Sequence, residues 1–456
     1  MTFRISTPAV AKASARSRRS ALREGGHIAV GFLTALVLTG SLASARSAAQ
    51  AAQGTAVTAL TGVRIIDGTG RPPIERGTVV ISNGRITAAG ASVQIPAGAT
   101  SIDLTGKTVM PGMINAHAHV QHLTKTMAMR EDLIRRLRMY ASYGITTAVS
   151  LGQTTAEEQA EVIKLRDEQD RIALDRARVY TSGPSIRNQK TPDEVRQTVN
   201  RYADEKVDRI KTHVANNMTP DTYAALIDQA HRRGLRAAAH IFFLKEAEMM
   251  LERGVDVIAH SVRDQDVPNT FIDAMKRRNV GYIPTLTRDL SLIVYETTPA
   301  FFTDPFFLRG ISVYGEQVKT LSDPGYQQKV RDNPQTQVIK QALAQGTRNL
   351  KILSDGGVTI ALGTDSGTDE GRWQGYFEQV ELEMMAKAGM TPMQVIVAAT
   401  AAAAQVSKLD HVGTIAPGKA ADLLVLDANP LQDIRNTRQI HSVWIAGRRM
   451  GTTGTN

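Results

Sequence analysis

Six polar side chains able to ligate a metal recur along this chain, each at or just past the end of a short apolar, β-prone run. They are His117 and His119 in INAHAHV, Lys211 in DRIKTHV, His240 in RAAAHIF, His260 in DVIAHSV and Asp365 in ALGTDSG. A packed core has no use for polar groups at the same end of successive strands, whereas a divalent-metal site at the mouth of a parallel barrel requires them. Residues i and i+2 of a strand share a face, so His117 and His119 can converge on one ion. The set therefore predicts a metallohydrolase.

Strand-like and helix-like segments alternate through residues 108–409, which predicts an α/β chain with a (β/α)8 TIM-type barrel. Its strands are expected at 109–116, 145–150, 179–182, 209–212, 236–239, 255–259, 281–286 and 359–364. Thr191, Thr219 and Thr391 each precede a proline and predict capped helix starts. Residues 57–107 and 410–450 are β-rich, and Asn83-Gly84 marks a hairpin. These two pieces flank everything else and predict one small β-sandwich built from both ends of the mature chain. Residues 287–335 break the rhythm and hold seven aromatics: Tyr295, Phe301, Phe302, Phe306, Phe307, Tyr314 and Tyr326. A lid over an apolar substrate pocket, a helical insertion with its own core and a subunit contact all fit that segment.

Charge and cysteine content narrow the chemistry. The formal net charge is +10, but Arg4, Lys12, Arg16, Arg18, Arg19 and Arg23 against Glu24 put +5 of it in residues 1–45. The rest is thinly spread, with no basic stripe or aromatic-interleaved patch, so nucleic acid is not an expected partner. Residues 1–49 read as an export signal: a basic start, the apolar stretch 28–39 and an Ala43-Ser44-Ala45 cleavage candidate. Ser17-Arg18-Arg19 fits a twin-arginine signal as well as an ordinary secretory one. The expected protein is periplasmic or secreted, with no membrane segment in its mature form. There is no cysteine, which excludes thiolate nucleophiles and Cys-type zinc sites.

The His-x-His after Pro-Gly-Met-Ile-Asn, Lys211 on the fourth strand, histidines ending the fifth and sixth and Asp365 ending the eighth resemble the amidohydrolase superfamily. Ile65-Ile66-Asp67-Gly68-Thr69-Gly70 and the run from Gly413 to Leu423 resemble its flanking sequences. The resemblance spans residues 57–450 and is nearest to imidazolonepropionase-like proteins, which include Xaa-Pro dipeptidases. It implies that His117 and His119 bind one metal with Asp365, and that His240 and His260 bind a second. Lys211, carboxylated by carbon dioxide, would bridge two divalent ions, zinc being the default for such N/O donors. A hydroxide between the ions would attack a carbonyl, and Asp365 would carry its proton to the leaving nitrogen. The small-molecule substrate so implied is a dipeptide or N-acyl amino acid, and a homo-oligomer is compatible.

Four further residues are candidate substrate contacts: His122 in the first loop, His213 two residues past Lys211, and Arg263 and Arg288 after the sixth and seventh strands. Either arginine could clamp a substrate carboxylate. Other readings stay open: Lys211 paired with a carboxylate, leaving one metal as in deaminases and imidazolone-ring hydrolases; lactonase or phosphotriesterase chemistry; and a non-catalytic binding protein.

Overall fold

The structure, a computed structural model of the chain, describes residues 57–214 and 217–451. The expected export signal lies outside the described residues. The first strands are β1 (Thr58–Ile65), β2 (Ile74–Ser82), β3 (Arg85–Gly90), β4 (Thr100–Asp103) and β5 (Thr108–Pro111). Then come β6 (Met113–Ala118), β7 (Ile145–Ser150), β8 (Arg178–Thr181), β9 (Arg209–His213), β10 (Arg236–His240), β11 (Val257–Ala259) and β12 (Gly281–Ile283). The chain closes with β13 (Leu423–Leu426), β14 (Ile440–Ile445) and β15 (Arg448–Arg449).

Strands from both ends form a single eight-stranded sheet, ordered β15-β14-β13-β5-β1-β2-β3 with β4 on β1. β13 lies antiparallel on β5 and joins the two chain ends. Two facing sheets, as a sandwich would have, are not what the pairing gives. Leu60, Val63, Val79, Ile81, Leu423, Val425 and Trp444 bury one face of the sheet in a core of their own.

The parallel strands form two sheets, β6-β7-β8 and β12-β11-β10-β9, with helices between successive strands. Thr191 and Thr219 cap two of those helices and Thr391 caps the later helix Pro392–Ala399, each side chain accepting a backbone N–H of the first turn. The expected first strand, 109–116, is broken at Gly112, and its two halves belong to different sheets. The break needs glycine, because a Cβ at Gly112 would lie 2.2 Å from the side chain of Thr146.

The expected eighth strand, 359–364, makes only an isolated bridge between Ile360 and Tyr282. Its backbone nevertheless bonds both neighbours. Tyr282 donates to Thr359 O and Ala361 to Tyr282 O at 2.9 Å, while Ala116 donates to Leu362 O at 2.8 Å. At the other edge Asp208 donates to Thr181 O and Ile186 to Lys211 O, at 2.8 and 2.9 Å. Individual hydrogen bonds, not continuous ladders, join the two sheets.

The insertion is helical, with Leu286–Leu290, Pro305–Leu308, Ile311–Leu321 and Pro324–Asp332 leading into the long helix Gln335–Asp355. Tyr295, Phe302, Phe306, Phe307 and Tyr314 pack with Tyr143, Trp373, Tyr376 and Phe377 into a separate aromatic core. Phe307 meets Trp373 edge-on at 5.2 Å. Among the described residues, no helix is long and apolar enough to cross a membrane.

Candidate metal centre

Parallel pairing sets the site. Ala238 lies opposite Lys211 and His240 opposite His213, so the polar residues of β9 and β10 reach the same end of the sheet. All six expected ligands line one cavity of about 520 Å³. Asp365 Oδ1 lies 3.1 Å from His117 Nε2 and 2.9 Å from His119 Nε2. His117 Nε2 is also 3.1 Å from Lys211 Nζ. The His117 and His260 rings stand 4.6 Å apart, and those of His240 and His260 4.1 Å. Donor atoms of His117, His260 and Asp365 lie within 4.8 Å of one another, a spacing that one ion can satisfy.

Burial decides the protonation states. It pushes His117 down to about 3, with the Lys211 charge adding to the effect, and pushes His213 to about 3. His240 and His260 are held well below the usual imidazole range, first by burial and then by neighbouring histidines. Burial also pushes the Lys211 amine down to about 7. The same burial would raise Asp365, but hydrogen bonds with His117 and His119 and the charge of Arg372 outweigh it and hold the carboxyl well below its usual range. Neutral imidazoles around an ionised carboxylate are the protonation states that a divalent cation needs in its ligands. His117 Nδ1 is buried without a hydrogen-bond partner. The donor set therefore fits a metal.

The backbone carries strain here. His260 (φ 72°), Thr285 (φ 50°) and Asp365 (φ 59°) adopt the left-handed conformation, which costs on the order of 1–3 kcal/mol each for such residues. Packing and hydrogen bonds enforce it. Thr285 Oγ1 sits 2.6 Å from His260 Nδ1. A Cβ at Gly363 would lie 2.3 Å from Ile283 and 2.8 Å from His117, so this close approach of strands requires glycine.

Two buried acids on the helix Tyr376–Lys387 support the site from behind. Glu378 Oε1 accepts from Asn115 Nδ2, Thr364 Oγ1 and Ser366 Oγ at 2.5, 2.7 and 2.6 Å, and so ties the His-x-His strand to the Asp365 turn. Glu381 accepts from the Leu286 and Thr287 amides at 2.8 and 2.7 Å, and from Thr287 Oγ1 at 2.7 Å. That holds the loop bearing Thr285 and Arg288. Arg372 Nη1 donates to Asp365 Oδ2 at 2.6 Å.

The four candidate substrate contacts divide. His213 and Arg288 line the cavity. His213 Nδ1 lies 2.6 Å from Ser185 Oγ, and Arg288 Nη1 donates to Asp289 at 2.6 Å. Arg263 is a correction: it does not line the cavity, and its buried guanidinium grips both Asp289 oxygens at 2.7 and 3.0 Å and the carbonyls of Ser261 and Ile241. His122 is another, since it does not line the cavity and its Nδ1 faces Asp132 at 3.2 Å.

The sequence reading missed Arg372, Arg187, Glu378 and Glu381. Arg372 had a usable signal, for Gly367, Gly371 and Gly375 mark a long strand-end loop around it. The two glutamates had none, because an i, i+3 acid pair on a helix reads as solvated surface.

The amidohydrolase family model matches residues 108–450. An imidazolonepropionase from Nocardia farcinica is 25% identical over 391 residues, covering 81% of this chain and 92% of that protein. A 5-methylthioadenosine/S-adenosylhomocysteine deaminase from Symbiobacterium thermophilum is 26% identical over 411 residues, covering 81% and 85%. Among solved structures, a protein from Bifidobacterium longum assigned as a prolidase superposes with a TM-score of 0.70 at 26% identity, covering 87% of this chain and 95% of that one. A Xaa-Pro dipeptidase has the same fold, with a TM-score of 0.65 at 21% identity, covering 86% and 99%. The chain belongs to the amidohydrolase family and is a hydrolase.

Proposed function

We propose that this chain is a binuclear metal-dependent hydrolase that cleaves an amide bond in a dipeptide or N-acyl amino acid. Lys211 carries this reading. It is 1% exposed, and no carboxylate lies within ion-pair distance of it among the described residues. A buried, unpaired ammonium is costly, and its amine is accordingly pushed down to about 7. A neutral amine can take up carbon dioxide, and the resulting carbamate offers two anionic oxygens at the centre of the histidine cluster. In this reading His117, His119 and Asp365 would hold one ion and His240 and His260 the other, with carboxylated Lys211 supplying oxygen donors to the pair. Two ions in such N/O surroundings, zinc by default, would acidify a water and polarise the scissile carbonyl.

The remaining steps belong to the chain. Burial keeps His117, His240 and His260 neutral, each with a lone pair free. Asp365, held ionised by its neighbours, takes a proton as the water oxygen bonds to the carbonyl carbon. It returns that proton to the nitrogen as the C–N bond breaks. Arg288 and Arg187, both lining the cavity, are placed to hold a substrate carboxylate.

We read the two parallel sheets and segment 359–364 as one (β/α)8 barrel. Ile114, Val149, Ala238, Val257 and Ile283, from strands of both sheets, meet in one apolar cluster with Ala361, which supports the reading. We also read residues 1–49 as an export signal. A second reading, one metal serving deamination or cyclic-amide opening, is supported by the three-donor group His117, His260 and Asp365 and by similarity to an imidazolonepropionase. The deciding assay follows product chemistry with zinc- and bicarbonate-loaded enzyme. New primary amine from dipeptides or N-acyl amino acids is the expected result. Ammonia from aminopurines, or opening of cyclic amides, with no amine release would overturn the leading reading.

A further inference from the structure

We propose that the insertion builds a second chamber beside the metal-side cavity, and that this chamber takes an aromatic or branched aliphatic group of the substrate. The proposal rests on the amide-hydrolase reading for its reaction, while its geometry stands alone.

The metal-side cavity is polar. Among the described residues that line it, glycine aside, only Leu151 and Pro184 carry no polar side-chain group. An apolar substituent would find little to pack against there. The second chamber, about 370 Å³, is mixed: Leu292, Tyr295, Tyr326 and Val330 give it an apolar part that the metal-side cavity lacks, and its other six lining residues are polar, Lys329 and Glu370 among them. Its size suits a phenyl or indole group, and ligand pockets fall in this range.

Asp369 and Arg372 line both spaces, so the two are neighbours across one side-chain wall. On one side Arg372 Nη1 reaches Asp365 Oδ2 at 2.6 Å and Thr368 Oγ1 at 2.9 Å. Its Nε is buried with no hydrogen-bond partner. A substrate carbonyl or carboxylate passing over this wall meets the Arg372 guanidinium while its apolar group enters the chamber.

The chamber is preformed. The Tyr295 hydroxyl donates to Gly371 O at 2.6 Å, and a Cβ at Gly371 would lie 2.6 Å from the Tyr295 ring, so ring and wall loop fix each other. This gives the insertion a role: its rings form a core, and Tyr295 and Tyr326 of that assembly also line a specificity pocket.

The test compares wild type with Leu292→Trp and Val330→Trp, which fill the chamber without touching the metal-side cavity. With zinc- and bicarbonate-loaded enzyme, kcat/KM is measured for N-acetyl-L-phenylalanine against N-acetylglycine, and for alanyl dipeptides with phenylalanine or glycine on either side. Burial of one ring predicts a preference of roughly 10- to 100-fold for the phenylalanine substrates. In both variants the ratio should fall to within about twofold of one. Equal rates in wild type, or a preference surviving in both variants, would overturn the proposal. If none of these amides is cleaved, the proposed amide-hydrolase reading fails and saturation-transfer NMR with N-acetyl-L-phenylalanine decides the chamber. Ring saturation in wild type that is lost in the variants supports it; no ring saturation in wild type overturns it.

Discussion

The metal-side cavity and the aromatic core of the insertion are both buried and both assembled from distant parts of the chain, but they draw on stability in opposite directions. At the cavity, three residues sit in the left-handed conformation, a lysine is buried without an ion pair, and four histidines are kept neutral by burial. The backbone strain disfavours folding at any pH, the buried lysine below about pH 10.5 and the depressed histidines below about pH 6.5. In the insertion, rings meet rings: Phe307 touches Trp373, Tyr314 and Tyr376 at 5.1–5.4 Å, and such pairs add about 0.5–1.5 kcal/mol each beyond the area they bury. The arrangement teaches that a strained polar site is tolerated because well-packed apolar regions of the same unit hold its loops in place.

Substitutions at the two regions should therefore separate activity from stability. Asp365→Asn should lower kcat by about 10²–10⁴-fold while costing less stability than a core truncation, since a proton carrier is lost and the side chain keeps its volume; steady-state kinetics and denaturant unfolding check it. Phe307→Ala should do the reverse. It should cost about 3–5 kcal/mol in denaturant unfolding while the metal content of the folded fraction stays the same. Loss of metal in that fraction would join the two regions and break the contrast.

Arg263→Ala should also act on stability, by about 3–5 kcal/mol, because Asp289 is left buried with its main partner gone. A change confined to KM would return Arg263 to the substrate. Glu378→Gln should weaken metal affinity by about 10–100-fold in chelator competition, since it loosens the Asn115 and Thr364 contacts that aim two ligands.

The smallest expected effect is a slope. Burial raises Glu381 from 4.5 to about 7 in the folded chain. The folded state thus binds more protons than the unfolded one between those values, and stability falls as pH rises from about 4.5 to about 7. Glu381→Gln should flatten that part of the profile in unfolding measured across this window.

The same contrast explains what the sequence made legible. Strand ends announce themselves: a short β-prone run followed by His or Asp is visible in one line of sequence, and seven of the eight expected parallel strands are strands in the structure. The exception, 359–364, bonds its neighbours at scattered points only. Pro111-Gly112 punctuates the first expected strand, but the dipeptide does not reveal that the two halves join different sheets. Arg263 and Arg288 occupy equivalent places after successive strands, and only the position of Asp289 tells that one is locked and the other faces the cavity. Glu378 and Glu381 were invisible because their role depends on packing partners more than 70 residues away in two of three loops. Packing-defined features, the second chamber among them, leave no periodic trace.

The most direct test of the central claim is metal content per chain, by elemental analysis of protein purified with zinc and bicarbonate, for wild type and Lys211→Ala. The account predicts two ions in wild type and a sharp fall in the variant. One ion per chain, unchanged by the substitution, would contradict the lysine-bridged binuclear site.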